Sequence, residues 1–294
     1  MNKIVISLII VIFIISKTSY AQNIAEVKIV SWNIQMLPNF FGGLSSALRK
    51  KQAVRLPWIV EHAKQQDYDV IIFQEVFDIE MKRKLKRGLK EAYPYHVSTK
   101  TKSGKFTSNG IYIVSRLPME YIDHVIYKEG LSEDKLAAKG CTLVEVKKDD
   151  LVFHVAGTHL QSGNGDAQLV RNHQYVDMYN LIEKYAQDNI PQFVVGDMNT
   201  PKSDTKSYEY MLHAIGVQDF PLDEDRPYTI DSDNSWNDHA EGVQLDYIML
   251  NPRKTTTTIS LQKILRPKDT YKEKSMDLAD HYGVVTTAKL SNSQ

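Results

Sequence analysis

One cysteine, Cys141, occurs among 294 residues, so the chain has no internal disulfide and no cysteine-based metal cage. Cys141 sits in an apolar alternation and reads as a small core residue rather than a nucleophile. No internal repeat, low-complexity tract or Pro/Gly-rich linker divides the chain. Charge of one sign is also missing, with 36 basic and 36 acidic side chains. A dedicated nucleic-acid binder needs a basic footprint to neutralise phosphates, which this balance does not supply. An enzyme that meets one phosphate at a time remains compatible with it.

The one long apolar run is N-terminal. Lys3 precedes a nearly unbroken stretch from Ile4 to Ile15, and Ser19-Tyr20-Ala21 follows with small residues placed for a cut after Ala21. This pattern predicts a secretory signal peptide over 1–21, because the stretch is shorter than the ~20 residues that span a bilayer. The mature chain would then be one domain, 22–294, secreted or periplasmic. Loss of Lys3 and Lys17 would leave 34 basic against 36 acidic side chains.

Apolar and β-branched runs at 27–32, 69–73, 110–115, 141–147, 151–156, 192–195, 245–250 and 282–288 predict strands. Lys148-Asp149-Asp150 should join two of them as a hairpin, and Pro118 should end the strand before it. Helical periodicity covers 48–66 (Leu48, Val54, Leu56, Ile59, Val60), 79–91 (Met81, Leu85, Leu89) and 168–187 (Leu169, Val176, Tyr179, Ile182, Tyr185). Hairpins mixed with helix-linked strands predict an α/β fold of the α+β type. It would be a four-layer sandwich of two mixed sheets packed face to face, with helices on both outer faces.

Several strands end in polar residues suited to phosphate chemistry. Phe193-Val194-Val195-Gly196 leads into Asp197 and Asn199, a carboxylate and an amide two residues apart. The carboxylate can position water or metal, and the amide donates a hydrogen bond without adding charge; an Asx turn would look the same. Glu75 closes Val70-Ile71-Ile72-Phe73-Gln74, where a carboxylate is costly unless paired or bound to a cation. Mg²⁺ prefers one or two carboxylates plus water and phosphate oxygens. Asn33 occupies the matching place after Val30-Ser31-Trp32. His159 and His281 lie at strand edges, where an imidazole can transfer protons. Asp246, a charge inside Leu245-Asp246-Tyr247-Ile248, needs a partner such as a histidine held in one tautomer. His173 and His239 stay open as candidates, and the other histidines read as surface or packing residues.

These segments resemble the endonuclease/exonuclease/phosphatase superfamily, in its bacterial sphingomyelinase C and neutral sphingomyelinase-like branch. The similarity lies in Ser31-Trp32-Asn33-Ile34-Gln35-Met36, Gln74-Glu75-Val76-Phe77-Asp78, Gly157-Thr158-His159-Leu160-Gln161, Gly196-Asp197-Met198-Asn199, Leu245-Asp246-Tyr247 and Ala279-Asp280-His281-Tyr282, in that order. The resemblance implies hydrolysis of sphingomyelin to ceramide and phosphocholine by direct attack of water. It implies Glu75 as principal ligand of Mg²⁺ (or Mn²⁺ or Co²⁺), with Asn33 beside it and Asp280 supporting the metal side. His281 would be the general base, oriented by Asp246. His159 would meet phosphate oxygen and the departing alkoxide, while Asp197 and Asn199 hold the phosphoryl group and water. Asn109 before Gly110 would line the site, and Arg171 matches an arginine of the family with a loop clamp or surface salt bridge as the plainer role. A phosphatase or phospholipase C acting on another phospholipid or phosphoinositide, or a secreted nuclease, are the alternatives within the superfamily.

The implied partner is a phospholipid membrane surface, met by a monomer without a protein or nucleic-acid partner. Secreted relatives carry an aromatic-rich hairpin before the Asp-His segment, whereas residues 266–279 here are charged and hold only Tyr271 as an aromatic. Phe40 and Phe41, in a Pro/Gly-bounded loop just after Asn33 and before Arg49-Lys50-Lys51, are the substitute membrane contact that the sequence offers.

Overall fold

Alternate side chains of one strand enter different cores, and that alternation sets the layers. In the computed structural model, which describes residues 24–38, 46–100, 104–237 and 241–291, strand β1 (Ile24–Met36) sends Val27 and Ile29 one way. Its Val30, Trp32 and Ile34 go the other way, toward helices α1 (Ser46–Gln65) and α2 (Ile79–Leu89). Beside β1 lie β2 (Val70–Val76), in parallel, and β13 (Gly283–Ser291), antiparallel. With β3 (Tyr95–Val97), β4 (Tyr112–Ser115) and β10 (Thr258–Leu265) they form a six-stranded sheet in the order β10-β13-β1-β2-β4-β3.

The second sheet has five strands in chain order: β5 (Met119–Ile126), β6 (Gly140–Lys148), β7 (Leu151–His159), β8 (Gln192–Asp197) and β9 (Asp246–Asn251). Only its β7–β8 pair is parallel. Its outer face packs on α3 (Asp166–Lys184) and α4 (Thr205–Ile215) through Leu143, Ala156, Val194 and Met249. Its inner face meets the first sheet through Val144, Phe153, Val155, Phe193, Val195 and Ile248. Phe153 and Phe193 cross edge to face at 5.7 Å in this inter-sheet core. The result is the four-layer sandwich expected, with both sheets mixed.

Each of the eight predicted strands is present, and Asp149-Asp150 turns the β6–β7 hairpin with Asp149 at φ 54°. Pro118 does end the pairing of β4, but the chain then crosses to the other sheet and starts β5, which the sequence pattern hides because its side chains are mostly half-buried or exposed. Cys141 is buried, as read from the sequence, and burial pushes its thiol pKa well up.

Helix α2 buries Met81, Leu85 and Leu89 as predicted and is capped by Asp78, whose carboxylate accepts from the Met81 amide at 2.9 Å. Helix α3 corrects the sequence reading. Leu169, Val176 and Tyr179 are exposed, while Val170, Tyr175, Met178, Leu181 and Ile182 face the sheet. Apolar residues surround this helix, so periodicity alone does not select the buried face. Among the described residues no helix is long and apolar enough to cross a membrane.

Gly157 faces the first sheet at close range. A Cβ there would lie 3.0 Å from Ile72 Cγ2, 3.2 Å from Ile113 Cδ1 and 3.3 Å from Ile111 Cγ2. Gly157→Val should therefore overpack the inter-sheet core and cost about 1–3 kcal/mol, read as a lower urea midpoint at unchanged slope.

Candidate active site

The inward parity of the central strands continues past the apolar core and becomes polar at one end. On β7 the series Leu151, Phe153, Val155, Gly157 ends at His159; on β8, Phe193 and Val195 lead to Asp197. On β9 the same face begins at Asp246, followed by Ile248 and Leu250, and on β1 Val27 and Ile29 lead through Ser31 to Asn33. Side chains separated by more than a hundred residues thus meet because they occupy the same edge of two stacked sheets.

The turns that follow are conformationally costly. Gln35, Glu75 and Asn199 have φ of 46°, 58° and 47°, a left-handed region that side chains other than glycine seldom occupy. Gly196 has no room for a side chain: a Cβ there would stand 2.0 Å from the Thr158 carbonyl oxygen.

Asn33 is the hub. Its amide Nδ2 donates to Glu75 Oε1 at 3.0 Å and to Asp197 Oδ2 at 3.2 Å, so one uncharged group bridges two carboxylates. Gln35 donates from Nε2 to Asp280 Oδ2 at 2.6 Å, while its Oε1 is buried without a partner. Burial, then the nearby Asp280 charge, raises the Glu75 pKa to about 7, against the Asn33 hydrogen bond that lowers it. Glu75 and Asp280 are half-buried, and Glu75 lines a cavity of about 490 Å³.

His281 Nδ1 and Asp246 Oδ2 are 2.8 Å apart, and Asp197 Oδ2 is 3.8 Å from the same nitrogen. Burial opposes a charged imidazole here. The carboxylates of Asp246 and Asp197, the Asp246 hydrogen bond and Asp280 outweigh it, so the His281 pKa stands well above its ordinary value. The partner that the buried Asp246 required is therefore His281.

His159 is the opposite case. Burial, reinforced by the Lys139 ammonium, pushes its pKa down to about 3 despite Asp197 at 3.6 Å. Lys139 Nζ lies 3.3 Å from His159 Nε2 and can only donate, which assigns the imidazole proton to Nδ1, an atom buried without a partner. The neutral ring can donate one hydrogen bond but carries no charge to a leaving oxygen.

Two kinds of donor set could hold a divalent ion. Among the described residues, Asp197, Asp246 and His281 offer ligand atoms all within 4.8 Å of one another. Their shortest contact is the proton-bearing His281–Asp246 bond, and all three are buried. The group around Glu75, Asp280, Asn33 and the orphaned Gln35 Oε1 is made of oxygen donors and opens on the cavity. A hard cation that keeps water and phosphate oxygens in its shell fits that second group better.

Asn199 donates from its backbone nitrogen to no one but Asp197 Oδ1 at 2.9 Å, and its amide donates to Leu160 O at 3.1 Å. One amide hydrogen is left for a phosphoryl oxygen. Asn109 is not among the cavity's lining residues: its amide donates to Thr142 Oγ1 at 2.9 Å and its carbonyl oxygen accepts from Ile111 N at 3.0 Å. Its neighbour Gly110 instead seats Phe77, whose ring lines the cavity, because a Cβ at Gly110 would fall 2.5 Å from it. Arg171 is a loop clamp, donating to the Gln161 and Gly163 carbonyls at 2.9 and 2.8 Å. His173 pairs with Glu129 on the surface. Phe40, Phe41 and His239 lie outside the described residues.

Sequence reasoning missed three residues that hold the site together. Lys139 divides its three donors among Asp134 Oδ1 at 2.8 Å, Leu160 O at 2.8 Å and His159. Its signal was a lysine between Ala137-Ala138 and Gly140-Cys141, an apolar setting. Arg55 is fully buried and donates to the carbonyls of Ile34, Gln35 and Leu278, tying the end of β1 to the segment before Asp280. Burial lowers its pKa to about 10, opposed by Asp280 and Glu75. Gln52, one turn earlier on α1, donates to Gln35 O at 3.0 Å. Gln52, Arg55 and Ile59 share one helix face by spacing, so the polar pair could have been read as inward-facing.

The Endonuclease/Exonuclease/phosphatase family model matches residues 30–270. A sphingomyelinase C 2 of Leptospira interrogans is 30% identical over 81% of this chain and 41% of that protein. The chain thus spans less than half the length of the first curated relatives it matches. A Bacillus cereus sphingomyelinase C is 26% identical over 93% of this chain and 91% of that one. In solved structures the fold recurs in a Staphylococcus aureus beta toxin carrying bound magnesium ions, with a TM-score of 0.73, 22% identity, and coverage of 92% and 100%.

The low His159 pKa carries a sign. Between about 3 and its ordinary 6.5, the unfolded chain binds a proton at this residue that the folded protein refuses, so its contribution to stability falls as pH drops through that window. Imidazole NMR should show no His159 titration down to pH 4.5, and Lys139→Met should move its titration upward.

Proposed function

The chain belongs to the Endonuclease/Exonuclease/phosphatase family, and from that premise we propose that it is a magnesium-dependent phosphodiesterase that hydrolyses sphingomyelin to ceramide and phosphocholine. The observation that carries the reading is the His281–Asp246 pair, which meets Asp197 and through it the Asn33-bridged carboxylates, of which Glu75 lines the cavity. The relatives named sphingomyelinase C favour this lipid over a nucleic acid or a phosphoinositide, and the balanced overall charge favours it over a nucleic acid.

In this reading Glu75, Asp280, Gln35 and Asn33 hold the cation. When bound, Mg²⁺ supplies positive charge to the phosphoryl oxygens as the phosphorus is attacked. With a cation held by these residues, Asp197, Asp246 and Asp280 would no longer depend on the His281 proton for balance, and the neutral imidazole would act as the base. Asp246 holds Nδ1 and leaves Nε2 for the proton of the attacking water. Asn199 donates its free amide hydrogen to the phosphoryl group, and Asn33 keeps Asp197 and Glu75 from separating. On the far side, neutral His159 holds the Lys139 ammonium through Nε2, and Lys139 supplies the positive charge that His159 lacks. The bond from phosphorus to the ceramide oxygen breaks, that oxygen takes a proton from solvent water, and His281 releases the proton it accepted to solvent. No covalent enzyme intermediate is formed.

We place the active enzyme outside the cytoplasm as a single domain of residues 22–294, acting as a monomer on lipid. The 1–21 segment read as a signal peptide lies outside the described residues.

Phosphocholine release from sphingomyelin vesicles tests the proposal. Turnover is expected with Mg²⁺ and absent with EDTA, and His281→Ala should lose on the order of 10²–10⁴-fold in rate. Equal turnover in EDTA contradicts the metal assignment. Degradation of DNA without release of phosphocholine contradicts the substrate.

A further inference from the structure

The cavity's floor is polar, with Gln35, Glu75, Lys139 and His159, but its rim is not. Leu37 and Pro38, both half-buried, are among its lining residues. So are Phe106 and Leu136, which are 53% and 38% exposed. These two belong to segments distant in sequence that are stitched together. Phe106 N donates to Leu136 O at 2.8 Å, Thr107 bridges Ala137 in parallel, and Lys105 Nζ caps the Lys135 carbonyl at 2.7 Å. The exposure is therefore built into a braced surface rather than carried on a free loop end.

Cations flank the pair. Lys105 and Lys135 adjoin Phe106 and Leu136 in sequence, and together with Lys128 they line the neighbouring groove. Of the acids nearby, Glu129 is paired with His173 and Asp134 with Lys139, while Glu133 faces the cavity. The β11–β12 ribbon (Lys268–Tyr271 and Lys274–Asp277) cannot play the same part. Its turn is Lys272-Glu273, and Tyr271 is its single aromatic.

We propose that Phe106 and Leu136, with Lys105 and Lys135, form the docking surface that seats the cavity mouth on a phospholipid bilayer. The apolar pair enters among the acyl chains while the lysines meet lipid phosphates, a division of labour that suits an interface apolar on one side and anionic on the other. Continuity with the cavity decides the occupant. A diester lifted from a bilayer passes an apolar rim before its phosphate reaches Lys139 and Glu75, whereas a freely soluble phosphate ester has no use for one. The inference rests on the lipid reading of the active site, and its test is separate from turnover.

Co-sedimentation of the full chain with sphingomyelin/phosphatidylserine vesicles in EDTA measures binding without hydrolysis. Phe106→Ser/Leu136→Ser should lower the partition coefficient at least tenfold, and Lys135→Glu should lower it further on anionic vesicles than on neutral ones. Tyr271→Ser in the ribbon should change it less than twofold. Each single serine variant provides the same readout should the double variant lose its thermal midpoint. Wild-type partition by the double and single variants overturns the proposal, and so does a loss confined to Tyr271→Ser. A change from dimer to monomer in light scattering with unchanged vesicle binding would make the patch a self-association surface and overturn it too. Vesicle binding that depends on the patch, without phosphocholine release, would sink the substrate reading and leave the docking surface standing.

Discussion

Negative charge confined to one end of the inter-sheet core is the constraint that organises this molecule. Glu75, Asp197, Asp246 and Asp280 converge where β1, β2, β8, β9 and the segment before β13 end, and two of the four are almost wholly removed from water. Buried carboxylates of like charge are unfavourable unless something compensates them. Every unusual feature nearby can be read as part of that compensation. Asn33 shares its amide between two of them, His281 takes on a proton against Asp246, and Gln35 ties down Asp280. Burial and the Asp280 charge raise the Glu75 pKa, and among these four Glu75 is the one that lines the cavity.

The backbone contributes as well. Left-handed conformations at Gln35, Glu75 and Asn199 turn the chain sharply just after its strands, so side chains that would follow strand parity are re-aimed. Arg55 holds the Gln35 turn and the segment before Asp280 through three carbonyls, and its guanidinium lies 4.6 Å from the Trp236 ring. A site so placed is supported on the β side by a packed core, and loop segments complete its cavity.

The layers and the strand-end carboxylates were legible because burial leaves a strong periodic trace: eight apolar runs, each ending or starting in a polar residue, map onto eight strands. Asp246 was readable from its misplacement in an apolar run, and the structure pairs it with His281. What stayed hidden depended on contacts distant in sequence. Lys139 gains its place from Asp134 and His159, and Arg55 from carbonyls on two other segments. Helix α3 was assigned the wrong buried face, since apolar residues on both sides erase the periodic signal. Asn109, read as lining the site, spends its side chain on Thr142, and the neighbouring glycine shapes the cavity instead through Phe77. The charged character read for 266–279 is kept in the β11–β12 ribbon, where Tyr271 is the aromatic, while Phe40 and Phe41, the substitute contact read from the sequence, lie outside the described residues.

Thermal unfolding of wild type and Glu75→Gln at pH 8, with and without Mg²⁺, tests most directly whether this charge cluster is a cation site. A buried carboxylate awaiting a cation destabilises the free protein, and a ligand bound only by the folded state raises its stability. The account predicts that Mg²⁺ raises the wild-type midpoint, and that Glu75→Gln melts higher than wild type without Mg²⁺ and does not respond to it. A Glu75→Gln protein that melts lower than wild type without the ion and is stabilised by Mg²⁺ to the same degree would contradict it.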